Sequence, residues 1–326
     1  MHAWFCDRLD GPEALQWREA PTPVPAPGEV RIRIRAASLN FPDLLIVQGK
    51  YQAKPPLPFV PGAEYAGHVD ALGEGVQHLQ VGDAVAAIAG TGGFGSHACV
   101  DARQVLPLPP GFALEDAAAF AFTYGTSHHA LMDRGALQAG ETVLVLGAAG
   151  GVGSAAVQIA KAAGATVIAA ASTDAKCQAC REMGADASIN YSRENLRDAL
   201  KALTQGRGPD VIYDAVGGEH AEPAFRSIAW RGRYLVVGFA AGGIPALPFN
   251  LALLKGASIV GVFWGDFVRR EPQANAASLA QLAQWYAQGR IRPVIDSRLP
   301  MAQLGEAYRR IHARDVVGKL VMVNPD

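Results

Sequence analysis

The segment TVLVLGAAGGVGSAAVQIAKAAGATVIAAAS, residues 142–172, decides the fold class of this chain. It opens with an apolar run typical of a buried strand and continues through a glycine-rich turn. A stretch with few helix breakers follows, and a second apolar run ends the segment. Strand, turn, helix and strand in this order form a βαβ unit with parallel strands. The segment therefore predicts the start of a doubly wound parallel sheet.

The same alternation extends on the C-terminal side of this segment. Short apolar runs predict strands at residues 142–146, 166–170, 187–190, 211–214, 234–238 and 258–263. Between them, the pattern predicts helices at residues 152–163, 175–183, 194–204 and 221–229. Six strands joined by helices match a complete Rossmann sheet, so the fold class is α/β.

The N-terminal part of the chain has a different pattern. Residues 29–36 read EVRIRIRA, which alternates apolar and charged side chains as a half-buried strand does. Proline and glycine recur at short intervals, at Pro21, Pro23, Pro25 and Pro27 and again at Pro55, Pro56, Pro58 and Pro61. Short strands joined by turns are therefore expected, as in a small β-barrel.

Two helices at residues 275–288 and 304–312 and a strand at 319–323 are predicted near the C-terminus. These elements are too few to form a core alone, so we expect them to return to the N-terminal domain. The predicted domains are residues 1–118 together with 265–326, and residues 119–264.

Composition narrows the classes of partner. Half of the 326 residues are hydrophobic and the formal net charge is −1, which gives no reason to expect nucleic acid or an anionic membrane. The N-terminus MHAWFCDRLD lacks the pattern of a secretory signal, and Lys161 interrupts the longest apolar region. We expect a soluble, cytoplasmic protein. Cys177 and Cys180 form a single CxxC within a predicted helix, which favours ordinary helix-face cysteines over redox or zinc chemistry.

The glycine turn carries the chemistry of the segment. After Gly147 it reads Ala148-Ala149-Gly150-Gly151-Val152-Gly153, a variant of GxGxxG with alanine in the first place. Gly150 allows the backbone to approach a pyrophosphate, and Gly153 allows the helix to pack tightly on the sheet. The helix N-terminus offers N–H groups to the phosphates. Cofactor contacts are therefore predicted at Ala149, Gly150, Gly151, Val152 and Gly153.

The end of the second strand distinguishes between the two dinucleotides. NAD sites usually carry an acid there for the ribose 2′-hydroxyl, whereas this chain has Ser172 and Thr173. Both hydroxyls can donate to a 2′-phosphate, and Lys176 can neutralise it, so NADPH is favoured. Asp174 is a contrary sign, but it lies beyond the strand and is a candidate helix N-cap. The alternative for Lys176 is an ordinary solvated helix lysine.

Several further motifs occur in a fixed order along nearly the whole chain. They are ASLNFPD at 37–43, VPGAEYAG at 60–67, VGDAV at 81–85, GFGSHA at 93–98, TYGT at 123–126 and GKLV at 318–321. With the glycine turn, these motifs resemble the medium-chain dehydrogenase/reductase superfamily, and within it the zinc-independent, zeta-crystallin-like NADPH:quinone oxidoreductase group. The resemblance implies a GroES-like β-barrel domain, an active cleft between that barrel and the Rossmann domain, and a homodimer formed through the strand near residues 257–263.

Zinc ligands are missing at the positions that the resemblance indicates. Zinc-dependent relatives place a cysteine near Asn40 and a histidine where this chain has Ala63. His128 and His129 do not fall into a recognisable ligand spacing either. We therefore expect no metal, and without a Lewis acid to stabilise an alkoxide, alcohol oxidation is disfavoured. Hydride transfer to an activated acceptor, a quinone or an α,β-unsaturated carbonyl, is the predicted reaction.

The resemblance also implies roles for individual residues. Asn40, Asp43 and Tyr51 would lie near the nicotinamide or the substrate, with Thr126 against the nicotinamide. Asn40 can donate to the acceptor carbonyl, and Tyr51 or Tyr124 can donate a proton or line the pocket. Each has a structural alternative: Asn40 and Asp43 as turn residues beside Pro42, and Tyr51 as loop packing.

The remaining cofactor contacts are also implied by the resemblance. Tyr191 and Lys176 would flank the adenosine phosphate, and Gly238 and Phe263 would follow the cofactor toward the nicotinamide. Arg314 stands where some relatives place a phosphate-binding arginine, although it can instead pair with Asp315. Two other functions stay open, reduction of enoyl thioesters and non-catalytic NADPH binding. The sequence does not identify the acceptor.

Overall fold

The computed structural model describes residues 1–325, which form two compact units. The first contains residues 1–122 and 295–325, and the second contains residues 123–294. The sequence placed the two boundaries at 118/119 and 264/265. The first differs by a few residues, whereas the second lies well beyond its predicted place, so residues 265–294 belong to the second unit.

The bounds of the elements follow in chain order. The strands are β1 His2–Phe5, β2 Gln16–Glu19, β3 Glu29–Ser38, β4 Glu64–Leu72, β5 Ala84–Ile88, β6 His97–Asp101, β7 Val105–Pro107, β8 Thr142–Leu146, β9 Thr166–Ala171, β10 Ala187–Asn190, β11 Val211–Asp214, β12 Arg233–Val236, β13 Ser258–Gly261, β14 Ile295–Pro300 and β15 Lys319–Val323. The α-helices are α1 Phe41–Val47, α2 Leu114–Ala117, α3 Ala121–His128, α4 Gly151–Ala162, α5 Asp174–Glu182, α6 Leu196–Leu203, α7 Ala221–Arg226, α8 Phe249–Lys255, α9 Trp264–Arg270, α10 Pro272–Ala287 and α11 Leu304–His312. A π-helical turn, His129–Arg134, follows α3.

The second unit contains a six-stranded parallel sheet with the order β10-β9-β8-β11-β12-β13. Numbered along the chain, this is the order 3-2-1-4-5-6 of a doubly wound dinucleotide-binding sheet. All residues of β8 are buried, because helices cover both faces of such a sheet. The predicted fold class is confirmed, and so are the six strands. The strand order reverses between β8 and β11, which creates a switch point at the carboxyl edge.

Some local predictions about this unit were wrong. Strands β12 and β13 end at Val236 and Gly261, earlier than the sequence pattern indicated. The chain turns after β12 because the backbone N–H groups of Val237 and Gly238 both donate to the carbonyl of Asp214. Helices α8 and α9 were not predicted.

Helix α10 belongs to the second unit and does not return to the first, contrary to the prediction. Gln281 of α10 forms a 2.8 Å hydrogen bond with Nε2 of His128, and the ring of Trp285 lies 5.9 Å from that histidine. Phe267 of α9 stacks on His129 at 4.0 Å. These contacts lie within the second unit, and they explain the position of the second boundary.

The first unit contains a mainly antiparallel seven-stranded sheet with the order β14-β15-β3-β4-β5-β7, and β6 pairs with β3. Strands β1 and β2 form a separate hairpin. The predicted alternation in β3 is confirmed, because Val30, Ile32 and Ile34 are buried in the core of this unit. Strand β15 pairs with β3, so the C-terminal strand returns to the first unit as expected.

Candidate functional site

The carboxyl edge of the parallel sheet brings together most of the predicted cofactor contacts. The glycine turn follows β8, Ser172 follows β9 and Tyr191 follows β10. Gly238 and Phe263 come shortly after β12 and β13. Because parallel strands place their carboxyl ends at one edge of a sheet, these positions share that edge. Ligands of doubly wound sheets bind there, beside the switch point.

Two glycines of the turn are required for different reasons. A Cβ on Gly153 would lie 2.1 Å from the carbonyl oxygen of Gly147 and 2.8 Å from Cα of Ala148, so only glycine fits. A Cβ on Gly150 would meet only the same carbonyl, at 3.4 Å, which is ordinary contact. The fold itself thus demands Gly153, whereas Gly150 leaves open space against the backbone.

Helix α4 begins at Gly151 with Gly150 as its N-cap, and no side chain caps it. The first N–H groups of a helix have no acceptor within the helix, and a glycine N-cap supplies none. These N–H groups and the helix dipole favour an anion at this end. The open space at Gly150 and the uncapped helix fit the pyrophosphate of a dinucleotide.

A hydroxyl group braces this turn from α3. Oγ of Ser127 donates to the carbonyl of Val152 at 2.8 Å and lies 2.9 Å from the hydroxyl of Tyr213 on β11. The sequence analysis did not identify Ser127, although it directly follows the predicted contact Thr126. Thr126 is itself buried. On α3, Thr126 is therefore followed directly by a residue that is hydrogen-bonded to the glycine turn.

The end of β9 differs in one detail from the prediction. The N-cap of α5 is Thr173, whose Oγ1 accepts from the backbone N–H of Lys176 at 3.2 Å, so Asp174 is not the cap. The carboxylate of Asp174 instead accepts from Nδ2 of Asn190 at 2.5 Å and from the guanidinium of Arg193. The acid at this edge is thus engaged by two donors from the β10 side. Arg193 was not among the residues predicted from the sequence.

Aromatic rings contact each other after β10. The ring of Tyr191 lies 4.3 Å from that of His220, with an interplanar angle of 38°. Nearby, the buried carboxylate of Asp214 ends β11 and accepts from the N–H groups of Val216 and Gly217, each at 2.8 Å. Its other oxygen accepts from the hydroxyl of Tyr234. This network orders the loop that follows β11.

Tyr124 is placed differently from the other predicted catalytic residues. It is buried in the second unit, where its hydroxyl donates to Oε1 of Gln158 at 2.9 Å. The same oxygen accepts from the backbone N–H of Arg292 at 2.7 Å. The hydroxyl of Tyr124 therefore joins α3 to α4 and to the segment after α10. This geometry favours packing over proton donation for Tyr124.

In the first unit, Asn40 and Asp43 meet in a capping box at the start of α1. Oδ2 of Asp43 accepts from the backbone N–H of Asn40 at 2.8 Å, and Oδ1 accepts from that of Ala63 at 3.0 Å. Asp43 therefore ties α1 to the loop before β4. Burial raises the pKa of this carboxyl to about 7, against the opposing effect of the two N–H donors.

The side chain of Asn40 lies among buried charges that the sequence analysis did not identify. Its Oδ1 accepts from Nζ of Lys319 at 2.5 Å, and its Nδ2 donates to Oε2 of Glu64 at 3.3 Å. Nζ of Lys319 also donates to the carbonyl of Leu39 and lies 3.9 Å from Glu64. Burial raises the pKa of Glu64 and lowers that of Lys319. Both residues belong to motifs that carried the family resemblance, which was the only available signal.

Tyr51 lies beyond α1 in the first unit and packs partly buried against its core. Burial and the charge of Asp43 raise the pKa of its phenol, so the hydroxyl keeps its proton near neutral pH. Arg314 is exposed just after α11, also in the first unit, with a left-handed backbone. The roles predicted for both stay predictions.

Metal and cysteine positions complete the description. Within residues 1–325, no three histidine, cysteine or acidic side chains are grouped to hold a metal ion. His128 and His129 are buried among Gln281, Trp285 and Phe267. Cys177 and Cys180 are buried free thiols, and burial raises the pKa of Cys180 to about 12, so this thiol does not ionise near neutral pH. No helix in the described part of the chain combines the length and apolarity needed to cross a membrane.

Two family models and several known proteins are similar to this chain. Residues 26–110 match the family model for the alcohol dehydrogenase GroES-like domain, and residues 151–282 match that for zinc-binding dehydrogenase. The chain is 38% identical to quinone oxidoreductase-like protein 2 of Bos taurus over 87% of this chain and 82% of that one. It is 35% identical to the quinone oxidoreductase of Pseudomonas aeruginosa over 96% of each chain.

A solved structure agrees with these sequence relatives. The quinone oxidoreductase of Thermus thermophilus, whose structures include a complex with NADPH, superimposes with a TM-score of 0.86 at 33% identity, over 99% of this chain and 100% of that one. Identity above 30% over most of the length of both chains accompanies the same fold. The chain therefore belongs to the quinone oxidoreductase group of the medium-chain dehydrogenase/reductase superfamily.

Proposed function

We propose that this protein is a zinc-independent, NADPH-dependent oxidoreductase that reduces a quinone or an α,β-unsaturated carbonyl. The observation that carries the proposal is the carboxyl edge of the parallel sheet. There an uncapped helix N-terminus and an open glycine backbone fit a pyrophosphate, and β9 ends in hydroxyls in place of an acid. The Thermus relative solved with NADPH supports the choice of cofactor.

The carboxyl edge of the parallel sheet indicates which residues would hold the cofactor. The backbone at Ala149, Gly150, Gly151, Val152 and Gly153 would receive the pyrophosphate. Ser172, Thr173 and Lys176 would receive the 2′-phosphate, and Tyr191 would flank the adenosine. Thr126, Gly238 and Phe263 would lie toward the nicotinamide, and Arg314 stays a proposed phosphate contact.

The 2′-phosphate is also favoured by how Asp174 is engaged. A free carboxylate beside Ser172 would repel a phosphate, but Asn190 and Arg193 hold this carboxylate from the β10 side. The ion pair is largely exposed, so its contribution is modest and falls with salt. Asp174 is therefore a weaker argument against NADPH than its position in the sequence indicates.

The bound cofactor supplies a hydride, and the protein orients the acceptor and stabilises charge on its oxygen. We assign Asn40 as the hydrogen-bond donor to that oxygen and Tyr51 as a protonated phenol near the acceptor. Asp43 has both oxygens engaged by backbone N–H groups, so its role is to hold the loop of Asn40. Tyr124 is a packing residue in this scheme.

Zinc independence is supported by the residues at two positions. Zinc-dependent relatives carry a cysteine and a histidine where this chain has Asn40 and Ala63. The carboxamide oxygen of Asn40 accepts a hydrogen bond from Lys319, and alanine has no ligand atom in its side chain.

A homodimer is supported by the exposed end of the parallel sheet. Strand β13 is the last strand at one edge of the six-stranded sheet, and Ile259 on it is exposed. Helix α8 precedes this strand and exposes Phe249, Leu253 and Leu254, and Phe263 follows it with 58% of its surface exposed. Apolar groups at a sheet edge favour pairing with a second copy.

One experiment tests the function. The purified protein is mixed with NADPH and a panel containing a small quinone, a small enone and an enoyl-CoA, before and after treatment with a chelator. We expect NADPH consumption with the quinone or the enone, at the same rate after chelation. Loss of activity on chelation would overturn zinc independence. Turnover confined to the enoyl-CoA would favour an enoyl-thioester reductase, and tight NADPH binding without turnover would favour a non-catalytic binder.

A further inference from the structure

Three buried polar side chains surround the proposed donor, Asn40, within the first unit. The cluster, here called the Asn40 cluster, consists of Ser38, Asn40, Glu64 and Lys319, which are all buried. Nζ of Lys319 donates to Oδ1 of Asn40, and Nδ2 of Asn40 donates to Oε2 of Glu64. The same Oε2 accepts from the hydroxyl of Ser38 at 2.9 Å. The carboxamide is thus held between an ammonium and a carboxylate.

This arrangement allows only one orientation of the carboxamide. If the group were flipped, its NH2 would face the ammonium, where both partners are donors. Its oxygen would then face the carboxylate, where both are acceptors. Both contacts would become repulsive in a buried environment, where electrostatic interactions are strong. The charges therefore select the orientation in which Nδ2 points away from Lys319.

The two charged residues are themselves anchored to the backbone. Oε1 of Glu64 accepts from the N–H of Phe122 at 2.8 Å. Nζ of Lys319 donates to the carbonyl of Leu39 at 3.0 Å, one residue before Asn40. Each charge thus has a fixed position that does not depend on the carboxamide. An amide nitrogen carries two N–H groups, and Glu64 receives one of them, which leaves the other as a donor.

We propose that Lys319 and Glu64 are positioning residues that lock the carboxamide of Asn40 as a hydrogen-bond donor toward the acceptor oxygen. This inference rests on the proposed role of Asn40 in the reaction. Neither residue touches the reacting atoms in this scheme. Both act through the amide, whose orientation would otherwise be free to reverse. A misdirected amide would present its oxygen to the negative charge that develops on the acceptor.

The test removes both charges together. Lys319→Met alone would leave the buried carboxylate of Glu64 without its counter-charge, which destabilises the fold for a reason unrelated to the amide. The neutral pair Lys319→Met/Glu64→Gln keeps similar side-chain volumes and removes the two opposite charges together. The control Arg233→Met/Glu141→Gln removes a partly buried ion pair of the second unit, away from the proposed catalytic residues. Circular dichroism and thermal unfolding verify that each variant folds.

Steady-state kinetics with a quinone are then measured in a double-mutant cycle with Asn40→Ala. We expect Asn40→Ala to lower kcat about 100-fold, as loss of one preorganised donor does. In the parent background, the neutral pair should lower kcat roughly tenfold and leave the dissociation constant of NADPH little changed. In the Asn40→Ala background, the same pair should lower kcat by less than about twofold. The control pair should lower the unfolding temperature and leave kcat as in the parent.

A second measurement does not depend on turnover. The side-chain 15N–1H signals of Asn40, assigned by their loss in Asn40→Ala, report the environment and hydrogen exchange of this amide in the cofactor-free protein. We expect slow exchange in the parent and faster exchange in the neutral pair, because the amide is then free to reverse.

The outcomes separate the inference from the proposed function. If Asn40→Ala leaves kcat unchanged, the donor role fails and the positioning role is overturned with it. If Asn40→Ala lowers kcat but the neutral pair alters neither kcat nor amide exchange, positioning is overturned and the proposed function stands. An equal loss of kcat in both backgrounds would show that the charges act by another route, which also overturns the inference. If the parent turns over no acceptor, unchanged amide exchange in the neutral pair still overturns it.

Discussion

The glycine turn of the second unit and the Asn40 cluster of the first are both polar sites, but they are built from different groups. The turn presents backbone N–H groups from a few consecutive residues at an open edge of the sheet. The cluster consists of buried side chains from β3, β4 and β15 and from the loop before α1, each held by a hydrogen bond. A ligand can supply the missing partner at the turn, whereas the two charges of the cluster are paired within the protein and leave one N–H of Asn40 as a donor.

This difference has a physical consequence for substitution. At the turn, folding and ligand binding depend on separate glycines, so the two can be changed one at a time. In the cluster, Lys319 and Glu64 depend on each other, because a buried ion without its partner lowers the unfolding free energy. We expect the first region to respond to single changes and the second to respond to changes in pairs.

The largest effect is expected from Gly153→Ala compared with Gly150→Ala. The methyl of Gly153→Ala would lie 2.1 Å from a backbone oxygen, so the helix must shift, at a cost of about 3 kcal/mol of unfolding free energy. Gly150→Ala has room within the protein, and its unfolding free energy should change by less than about 1 kcal/mol. Its dissociation constant for NADPH should nevertheless rise roughly tenfold or more, because the methyl would meet the pyrophosphate.

Denaturant unfolding and NADPH titration measure these two quantities. Equal destabilisation by both substitutions, with equal loss of NADPH binding, would show that the two glycines do not have separate roles.

A smaller effect is expected from Ser172→Asp combined with Lys176→Ala. The new carboxylate would repel a 2′-phosphate and accept from a ribose hydroxyl, and the cation would be lost. The ratio of NADPH to NADH affinity should fall by about 30-fold to 100-fold, corresponding to roughly 2–3 kcal/mol. Cofactor titrations of the parent and the variant measure this ratio, with Lys201→Ala on α6 as a matched lysine control. An unchanged ratio would mean that the 2′-phosphate binds elsewhere.

The smallest effect, counted as unfolding free energy per pH unit, concerns the dependence of stability on pH. The pKa of Asp43 is about 7 in the folded protein, above its ordinary value of 3.8, so between these values the folded state binds more protons than the unfolded state. Its contribution to the unfolding free energy is therefore full below about pH 4 and decreases as pH rises toward 7, by at most about 1.4 kcal/mol per pH unit. Above pH 7 the contribution stays constant.

Urea unfolding of the parent and of Asp43→Asn, at several pH values in this window, isolates that contribution. The substitution should remove this part of the slope. Asp296→Asn is a useful comparison, because the pKa of Asp296 is lowered in the folded protein and its contribution has the opposite sign. If Asp43→Asn left the slope unchanged, the carboxyl would be ionised in the fold at all of these pH values.

The elements of the second unit differed in how well they could be predicted. All six strands of the parallel sheet were found, because continuous apolar runs between helices are a strong local signal. Helix α9 was missed and α10 was assigned to the wrong unit, because their place depends on contacts with His128 and His129 and not on their own pattern. Thr173, and not Asp174, proved to be the N-cap, since both residue types are good caps and only geometry separates them.

The sequence by itself determined the six strands of the parallel sheet, the glycine turn and the absence of an acid directly after β9. Each of these depends on residues close together in the chain. Only the tertiary structure decided how the carboxamide of Asn40 is oriented. The lysine that holds it is 279 residues away, and a buried charge becomes informative only when its partner is known. Local patterns therefore specified the edge that fits a cofactor, whereas long-range pairing specified the orientation of the Asn40 carboxamide.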